Sequence, residues 1–547
     1  MPRLPPPGRN FGSCQAGSWT YHELADPAAT CLDGSRFGFY YMPAVVVRPT
    51  PREHAAGVVN NESWLLHFEG GGWCWSAEDC AMRAESRAGS STQWEKQEGQ
   101  ITIGGLVNKC CFCTKFCRFH RVFLKSCDGH AFAGDAVFAA VAAALPTTSA
   151  GAPLAAHKLK LISDGGVAAA TPSLLHSSGQ VILRGVVGTL LRSFGLREAK
   201  NVLVSGCSAG GMAALLNAER IRAQLRAAGA RLERFKVVAV SGVFFLPPPS
   251  PEARSAGSLP GMPNTPNTPG TPGTPGTPGM LGSLGSHPSA SELPLSPFEE
   301  QIRAFARLGN VALPSGCTAA AASGGQPAWR CLLGLGLVEA LPADLPAFVY
   351  QSRLDLWQAN CILAAGRSRY FGLNCSSTAE WHRCLGWMAP LRPNSRCSAA
   401  QWQYLRAYEE ANDQALLLSP ALRRPGYGSF VHSCYDHCPT TSGLLNTGAT
   451  LRPGLVNDSI NLRESLHNWF LERQPLGRPA AVPAWNHTHS GCWNWPVAAM
   501  VPDKAQPPWC RKPECALPEK LHRDDTAARR ERIRARGWPW FLDERRR

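Results

Sequence analysis

The chain has 547 residues, 44% of them hydrophobic, so it can bury a large core as one long α/β domain or as up to three smaller ones. Its formal net charge of +15 at pH 7 suits an anionic partner: nucleic acid, an anionic membrane or an acidic polysaccharide. The sequence has no nucleic-acid-binding motif and no apolar run of the roughly 18 residues that a transmembrane helix needs, so we expect neither a nucleic-acid partner nor a membrane span.

Cysteine is unusually frequent, with 21 residues spread along most of the chain. This predicts an oxidising compartment and several disulfides. Four Asn-x-Ser/Thr sequences are compatible with secretion and glycosylation, at Asn61, Asn374, Asn457 and Asn486. The N-terminus lacks the apolar core of a signal peptide. The expected location, secreted or extracellular, is therefore inferred from cysteine chemistry.

Two strands are predicted near the N-terminus, at residues 37–41 and 63–68. The second runs directly into Glu69-Gly-Gly-Gly-Trp-Cys74. A strand that ends in a glycine cluster leaves backbone N–H groups at the sheet edge, where they can hydrogen-bond an oxyanion. A plain turn between a strand and a helix is the alternative.

The next part of the chain carries four cysteines within residues 110–117, for which local disulfides are favoured over a zinc cluster. Another strand and turn are predicted at 122–129. Residues 141–178 are rich in Ala and Ser and resemble a loop insertion, and a helix is expected over 181–194.

Residues 201–221 contain a serine at a bend between a strand and a helix. The apolar run 202–204 predicts a buried strand, and the pattern that begins at Met212 predicts a helix. Gly206-x-Ser208-x-Gly210 between them is the nucleophile-elbow pattern, in which the glycines allow strand and helix to pass closely. The helix N-terminus would favour a developing negative charge. The pattern indicates an acyl-transfer site.

A further strand over residues 236–246 is expected to lie parallel to the elbow strand. Residues 247–297, with Thr-Pro-Gly repeated through 265–279, are too rich in proline and glycine to bury a core. Because strand patterns occur on both sides, we interpret this segment as a disordered insertion within one domain.

Two later strands end in candidate catalytic side chains. Asp355 follows the strand at 346–350, where an α/β sheet places catalytic acids, although capping the next helix is the alternative. His432 and His437 follow a strand that begins at Gly428. His437 is preferred because Cys434 and Cys438 flank it, and disulfides there would fix its imidazole.

Three motifs in this order resemble the pectin acetylesterase family, which includes Notum-type carboxylesterases: Phe68-Glu-Gly-Gly-Gly-Trp-Cys74, Ser205-Gly-Cys-Ser-Ala-Gly-Gly211 and Ser433-Cys-Tyr-Asp-His-Cys438. The resemblance implies an α/β-hydrolase-like fold with a mostly parallel sheet flanked by helices. It also implies a triad of Ser208, Asp355 and His437, an oxyanion hole formed by the amides of Gly72, Trp73 and Ala209, and no metal or organic cofactor. The chain departs from the family pattern at Ser241, where an Asp is usual, and at Pro439, where a Gln is common.

The resemblance implies a serine carboxylesterase that hydrolyses acetyl esters of acidic cell-wall pectin. We also expect a monomer. A Notum-like lipid or protein deacylase and a catalytically silent polyanion-binding relative are the alternatives. The predicted organisation is a disordered tail at 1–12, one hydrolase domain at 13–516 and a basic tail at 517–547.

Overall fold

One nine-stranded sheet organises the fold in a computed structural model, which describes residues 18–44, 62–101, 103, 105–108, 116, 118–140, 173–248, 295–324, 326–363, 398–432, 437–438, 450–451, 460–472 and 486–488. The predicted terminal tails, all but the ends of the predicted insertion 247–297, and the four clustered cysteines of 110–117 lie outside these residues.

The sheet consists of a parallel body with an antiparallel edge. Its strands, in spatial order, are β1-β2-β4-β3-β7-β8-β9-β10-β13, and every neighbouring pair from β4 to β13 is parallel. Strands β1 and β2 pair antiparallel with each other, and β2 pairs antiparallel with β4. In chain order, the strands are β1 Thr20–Glu23, β2 Gly38–Met42, β3 Ser63–Phe68, β4 His120–Leu124, β5 Ala136–Ala140, β6 Ser173–Ser177, β7 Asn201–Cys207, β8 Arg234–Val240, β9 Ala347–Ser352, β10 Gly428–His432, β11 Thr450–Leu451, β12 Ile460–Asn461 and β13 Asn486–Thr488.

Helices connect and flank the parallel strands. The α-helices are α1 Ala77–Ala84, α2 Gly179–Ser193, α3 Ala209–Ala227, α4 Pro297–Leu308, α5 Ser315–Gly324, α6 Gly336–Ala340, α7 Leu356–Gln358, α8 Ala399–Leu418 and α9 Leu462–Phe470. Among the described helices, none is long and apolar enough to cross a bilayer. The α/β-hydrolase-like fold predicted from the sequence is confirmed.

The central strands are apolar because both sheet faces are covered. Every residue of β3, β7 and β9 is buried, which is the pattern expected of parallel strands between two helical layers. Parallel strands also align their carboxyl ends at one sheet edge. The segments that follow β3, β7, β8, β9 and β10 therefore meet along that edge.

Disulfides, predicted from the cysteine content, are present. Four join described cysteines: Cys31 to Cys127, Cys74 to Cys80, Cys207 to Cys438 and Cys317 to Cys331. The Cys31 and Cys207 bonds close loops of 96 and 231 residues. Long-range bonds of this kind restrict the unfolded chain most.

Two predicted segments differ from the observed structure. The insertion predicted over 141–178 contains β6, which pairs antiparallel with β5. The strand predicted over 236–246 ends at Val240, because Ser241 has a φ of 47° and turns the chain out of the sheet.

Candidate active site

Ser208 lies at a sharp bend between β7 and α3, as the elbow pattern predicts. Its φ of 59° and ψ of −130° are rare for a residue with a side chain, and its amide donates to the Val240 carbonyl at 2.8 Å. The flanking glycines are required by close backbone contact. A Cβ at Gly206 would lie 2.0 Å from the Gly210 oxygen, and one at Gly210 would lie 2.2 Å from the Phe68 oxygen.

Asp355 and His437 form a buried pair. The His437 Nδ1 atom lies 2.9 Å from each carboxylate oxygen of Asp355, which is completely buried. A proton on Nδ1 donates to this carboxylate and leaves the lone pair on Nε2. His437 Nε2 has no hydrogen-bond partner among the described residues. This imidazole is therefore set up to accept a proton.

Asp355 also caps α7, which is the alternative considered for it from the sequence. Its Oδ1 accepts from the Gln358 amide at 2.9 Å, and Gln351 Nε2 donates to Oδ2 at 3.3 Å. The indole of Trp357 stacks on His437 with ring centroids 6.0 Å apart. These contacts fix the carboxylate and the imidazole relative to each other.

A disulfide connects the serine to the histidine loop. Cys207 precedes Ser208, Cys438 follows His437, and the two cysteines are bonded with Cα atoms 5.7 Å apart. Ser241 adds a second connection, because its Oγ accepts from the Cys438 amide at 3.2 Å. No hydrogen bond joins Ser208 to His437 within the described part of the chain. The bond between their chain neighbours nevertheless holds these two side chains in one region.

The glycine-rich loop after β3 packs directly against the elbow. A Cβ on Gly70 would lie 3.0 Å from the Ser208 Cβ and 2.5 Å from the Cys207 oxygen. The amides of Gly72, Trp73 and Ala209 donate to no group in the described ranges. Unpaired backbone donors in a loop that contacts the elbow are compatible with the oxyanion hole predicted from the sequence.

Aromatic side chains cover the apolar side of the site. The Trp73 ring lies 5.0 Å from Phe244 and 5.5 Å from Trp357, measured between centroids. Trp73 is 3% exposed, Phe244 1% and Trp357 7%. The three rings are therefore packed against one another and almost completely buried.

Three contributors to the site were missed by sequence reasoning. Gln358 bridges the segment after β8, since its Nε2 donates to the Val243 carbonyl and its Oε1 accepts from the Phe245 amide, each at 2.9 Å. Ser241 and Arg83, which contacts the glycine-rich loop, are the other two. Two of them gave a sequence signal: Ser241 as a departure from the family pattern, and Gln358 as the end of the Asp355-Leu-Trp-Gln358 stretch, which resembles that family. Pro439, the other departure, lies outside the described residues.

Among the described residues, one group of buried side chains has the composition of a metal site. Sulfur and nitrogen atoms of Cys74, Cys80 and His130 lie within 4.8 Å of one another. The two cysteines form a disulfide and so offer no thiolate. Burial lowers the pKa of His130 to about 4, and its Nδ1 lies 2.9 Å from the Ser177 hydroxyl. This cluster is part of the packed core.

Similarity to known proteins identifies a family and a fold. A family model described as Pectinacetylesterase matches residues 17–147, 163–255 and 298–488. Pectin acetylesterase 11 of Arabidopsis thaliana is 25% identical over 456 residues, covering 83% of this chain and 87% of that protein. Human palmitoleoyl-protein carboxylesterase NOTUM is 26% identical over 225 residues, covering 41% of this chain and 36% of that protein. The structure of the Wnt deacylase Notum from Drosophila superposes with a TM-score of 0.52 at 19% identity, covering 86% of this chain and 97% of that one.

Proposed function

This chain belongs to the pectinacetylesterase family of acyl-ester hydrolases, and from that membership we propose that it is a serine esterase that removes acetyl groups from pectin. The proposal is supported by the Asp355–His437 contact at 2.9 Å and by the Cys207–Cys438 disulfide, which links the residue before Ser208 to the residue after His437. The chain order of the proposed triad is Ser208, Asp355, His437, which is the order found in α/β-hydrolases.

The proposed mechanism has an acylation and a deacylation step. His437 Nε2 takes the proton of the Ser208 hydroxyl as Oγ attacks the ester carbonyl. Asp355 keeps the other imidazole proton on Nδ1 and stabilises the imidazolium that forms. The amides of Gly72, Trp73 and Ala209 donate to the carbonyl oxygen as it becomes an oxyanion. His437 then protonates the departing sugar oxygen, and a water molecule activated by the same nitrogen releases acetate.

Acidic pectin is favoured as the substrate by charge. The chain carries a net charge of +15, and demethylated pectin is a polyanion, so long-range attraction raises the rate of encounter. The disulfides support a secreted enzyme, because such bonds persist in oxidising compartments. A monomer remains our proposal for the active species.

The test is acetate release from acetylated homogalacturonan, with neutral acetylated xylan as the matched polymer. We expect faster release from the acidic polymer at low ionic strength, and we expect added salt to remove most of that preference because it screens the attraction. Equal rates on both polymers at all salt concentrations would contradict pectin as the preferred substrate. Absence of acetate release from either polymer by the folded protein would favour the polyanion-binding alternative.

The packing of three aromatic rings near His437 favours a short acyl group over a lipid as the group removed. Trp73, Phe244 and Trp357 contact one another and are nearly inaccessible, and Trp357 also stacks on His437. A fatty acyl chain needs an open apolar cavity. The deacylase alternative, suggested by the Notum relatives, would require these rings to move apart.

Removing one of these rings is expected to widen the acyl specificity. For p-nitrophenyl esters, we expect wild-type kcat/KM to fall from acetate to hexanoate. We expect Phe244→Ala to raise the hexanoate-to-acetate ratio of kcat/KM by about tenfold or more, since each methylene accommodated in an apolar site changes discrimination by roughly 10- to 200-fold. Phe235, a buried ring at the opposite end of β8, provides the control variant Phe235→Ala. A wild-type preference for hexanoate would instead support the lipid deacylase.

A further inference from the structure

Arg83 binds the backbone of the proposed oxyanion hole from behind. Its side chain reaches from the last turn of α1 and is buried, with the residue 3% exposed. Nη1 donates to the Gly71 carbonyl at 2.8 Å, and Nη2 donates to the Gly72 carbonyl at 3.3 Å. One guanidinium thus holds two consecutive peptide units.

These two peptide units are the ones that supply the proposed oxyanion donors. The Gly71 carbonyl shares a planar peptide with the Gly72 amide, and the Gly72 carbonyl shares the next with the Trp73 amide. In a trans peptide unit, C=O and N–H point in opposite directions. A side chain that fixes the two carbonyls therefore also fixes the direction of the two amides.

The loop itself provides little conformational restraint at this point. Gly71 and Gly72 have φ values of 121° and 71°, which favour glycine, and glycine crosses freely between backbone regions. Rotation of either peptide unit would turn a carbonyl oxygen toward the reacting centre in place of an N–H. Such a rotation would break a hydrogen bond to Arg83, so the guanidinium opposes it.

Helix α1 is itself fixed to the loop. Cys74, directly after Trp73, is bonded to Cys80 in α1, and the Ser76 side chain caps the helix by accepting from the Asp79 amide at 3.1 Å. Cys80 and Arg83 are three positions apart and so lie on one helix face. The disulfide and the guanidinium contact the glycine-rich loop from the same face.

We infer that Arg83 is a positioning residue that holds the Gly72 and Trp73 amides in the orientation required for oxyanion binding. This inference rests on the proposed serine-esterase function. The guanidinium also places a positive charge behind both peptides, which polarises their N–H groups toward the oxyanion. Burial raises the pKa of the nearby Asp79 to about 6, and the charge of Arg83 acts in the opposite direction.

The test compares Arg83→Gln and Arg83→Lys with the wild type on p-nitrophenyl acetate. Gln removes the positive charge and the paired donors of the guanidinium. Lys keeps the charge, but its compact ammonium group lacks the planar pair of donors that binds two carbonyls. We expect kcat to fall about 100-fold for Gln and about tenfold for Lys, against the 100- to 1,000-fold typical of a lost oxyanion donor. KM should change only a few-fold, because the ground-state carbonyl uses these donors less.

A second readout separates positioning from general stability. A trifluoromethyl ketone adds to the serine as a tetrahedral oxyanion, so its inhibition constant should rise in proportion to the loss of kcat in both variants. Arg222, buried in α3 and bonded to the Asp344 carbonyl at 3.0 Å, supplies the control Arg222→Gln. This control should lower the melting temperature without changing the inhibition constant.

The outcomes distinguish this inference from the proposed function. Loss of activity in Ser208→Ala together with unchanged kcat and ketone affinity in Arg83→Lys would overturn only the role of Arg83. Retained activity in Ser208→Ala would overturn the serine mechanism itself. If Arg83→Gln does not fold, Arg83→Lys decides alone, and a melting-temperature drop with no change in ketone affinity would count against positioning.

Discussion

Replacing Ser208 by Ala is expected to reduce kcat/KM for acetyl esters by about a million-fold, the scale seen when a triad serine is removed. The mutation deletes the oxygen proposed to attack the ester and leaves the rest of the site intact. Alanine keeps the Cβ and therefore the same backbone requirement at a φ of 59°. The Ser208 hydroxyl has no hydrogen bond to the described residues, so its loss should leave the melting temperature nearly unchanged. Initial rates with p-nitrophenyl acetate and thermal unfolding measure the two effects.

Ser205 provides a matched control on the same strand. It is also buried, and its Oγ lies 2.8 Å from Nδ1 of His67 in the neighbouring strand β3. Ser205→Ala removes this contact and leaves a buried ring nitrogen unpaired, which costs roughly 1–3 kcal/mol of stability. We expect it to lower the melting temperature and to keep kcat within a few-fold. Comparable activities for the two variants would exclude Ser208 as the nucleophile.

The parallel core was predictable because its signals are local. An apolar run followed by glycine marks both β3 and β7, and each strand is buried on both faces, so its composition alone identifies it. Strand β6 was not predicted because its residues gain a strand partner only through pairing with β5, more than 30 positions earlier. A short window of sequence contains no information about a pairing partner at that distance.

The end of β8 shows how tertiary contacts override an apolar pattern. Val243 and Phe245 continue the hydrophobic run, but they follow the positive-φ Ser241 and leave the sheet. Their backbone groups bind the amide of Gln358 instead of a neighbouring strand. The run is apolar because it is buried beneath the site, and burial does not require a strand.

The site could be predicted in part, because some of its residues act through their own chemistry and others act through backbone groups of distant segments. Ser208, Asp355 and His437 each follow a predicted strand and carry a reactive side chain, so position and residue type together indicate them. Arg83 contacts carbonyl groups of Gly71 and Gly72, and an arginine in a short polar helix gives no sign of such a partner. The Cys207–Cys438 pairing likewise joins segments 231 positions apart.

Replacing Asp355 by Asn is expected to lower kcat by about 10,000-fold, since the triad aspartate sets the imidazole tautomer. An Asn side chain that keeps its oxygen toward the Gln358 amide turns its NH₂ group toward His437. Nδ1 must then present its lone pair, and the proton moves to Nε2, where the base is needed. The histidine can no longer accept the proton of Ser208. Steady-state kinetics at saturating p-nitrophenyl acetate measure this loss.

The Asn substitution also separates the proposed catalytic role of Asp355 from its observed role as a helix cap. As a helix cap, Asn is about as good as Asp, whereas Ala loses roughly 1 kcal/mol. We therefore expect Asp355→Ala to lower the free energy of unfolding more than Asp355→Asn does, although both variants lose activity. Wild-type kcat in Asp355→Asn, together with reduced stability in Asp355→Ala, would contradict the catalytic role. Asp355 would then serve only to cap the helix through the Gln358 amide, and its 2.9 Å contacts with His437 would not contribute to catalysis. Replacing a carboxylate oxygen by an NH₂ group changes the hydrogen bond to the imidazole but preserves the helix cap. This pair of variants therefore decides between a catalytic carboxylate and a structural one.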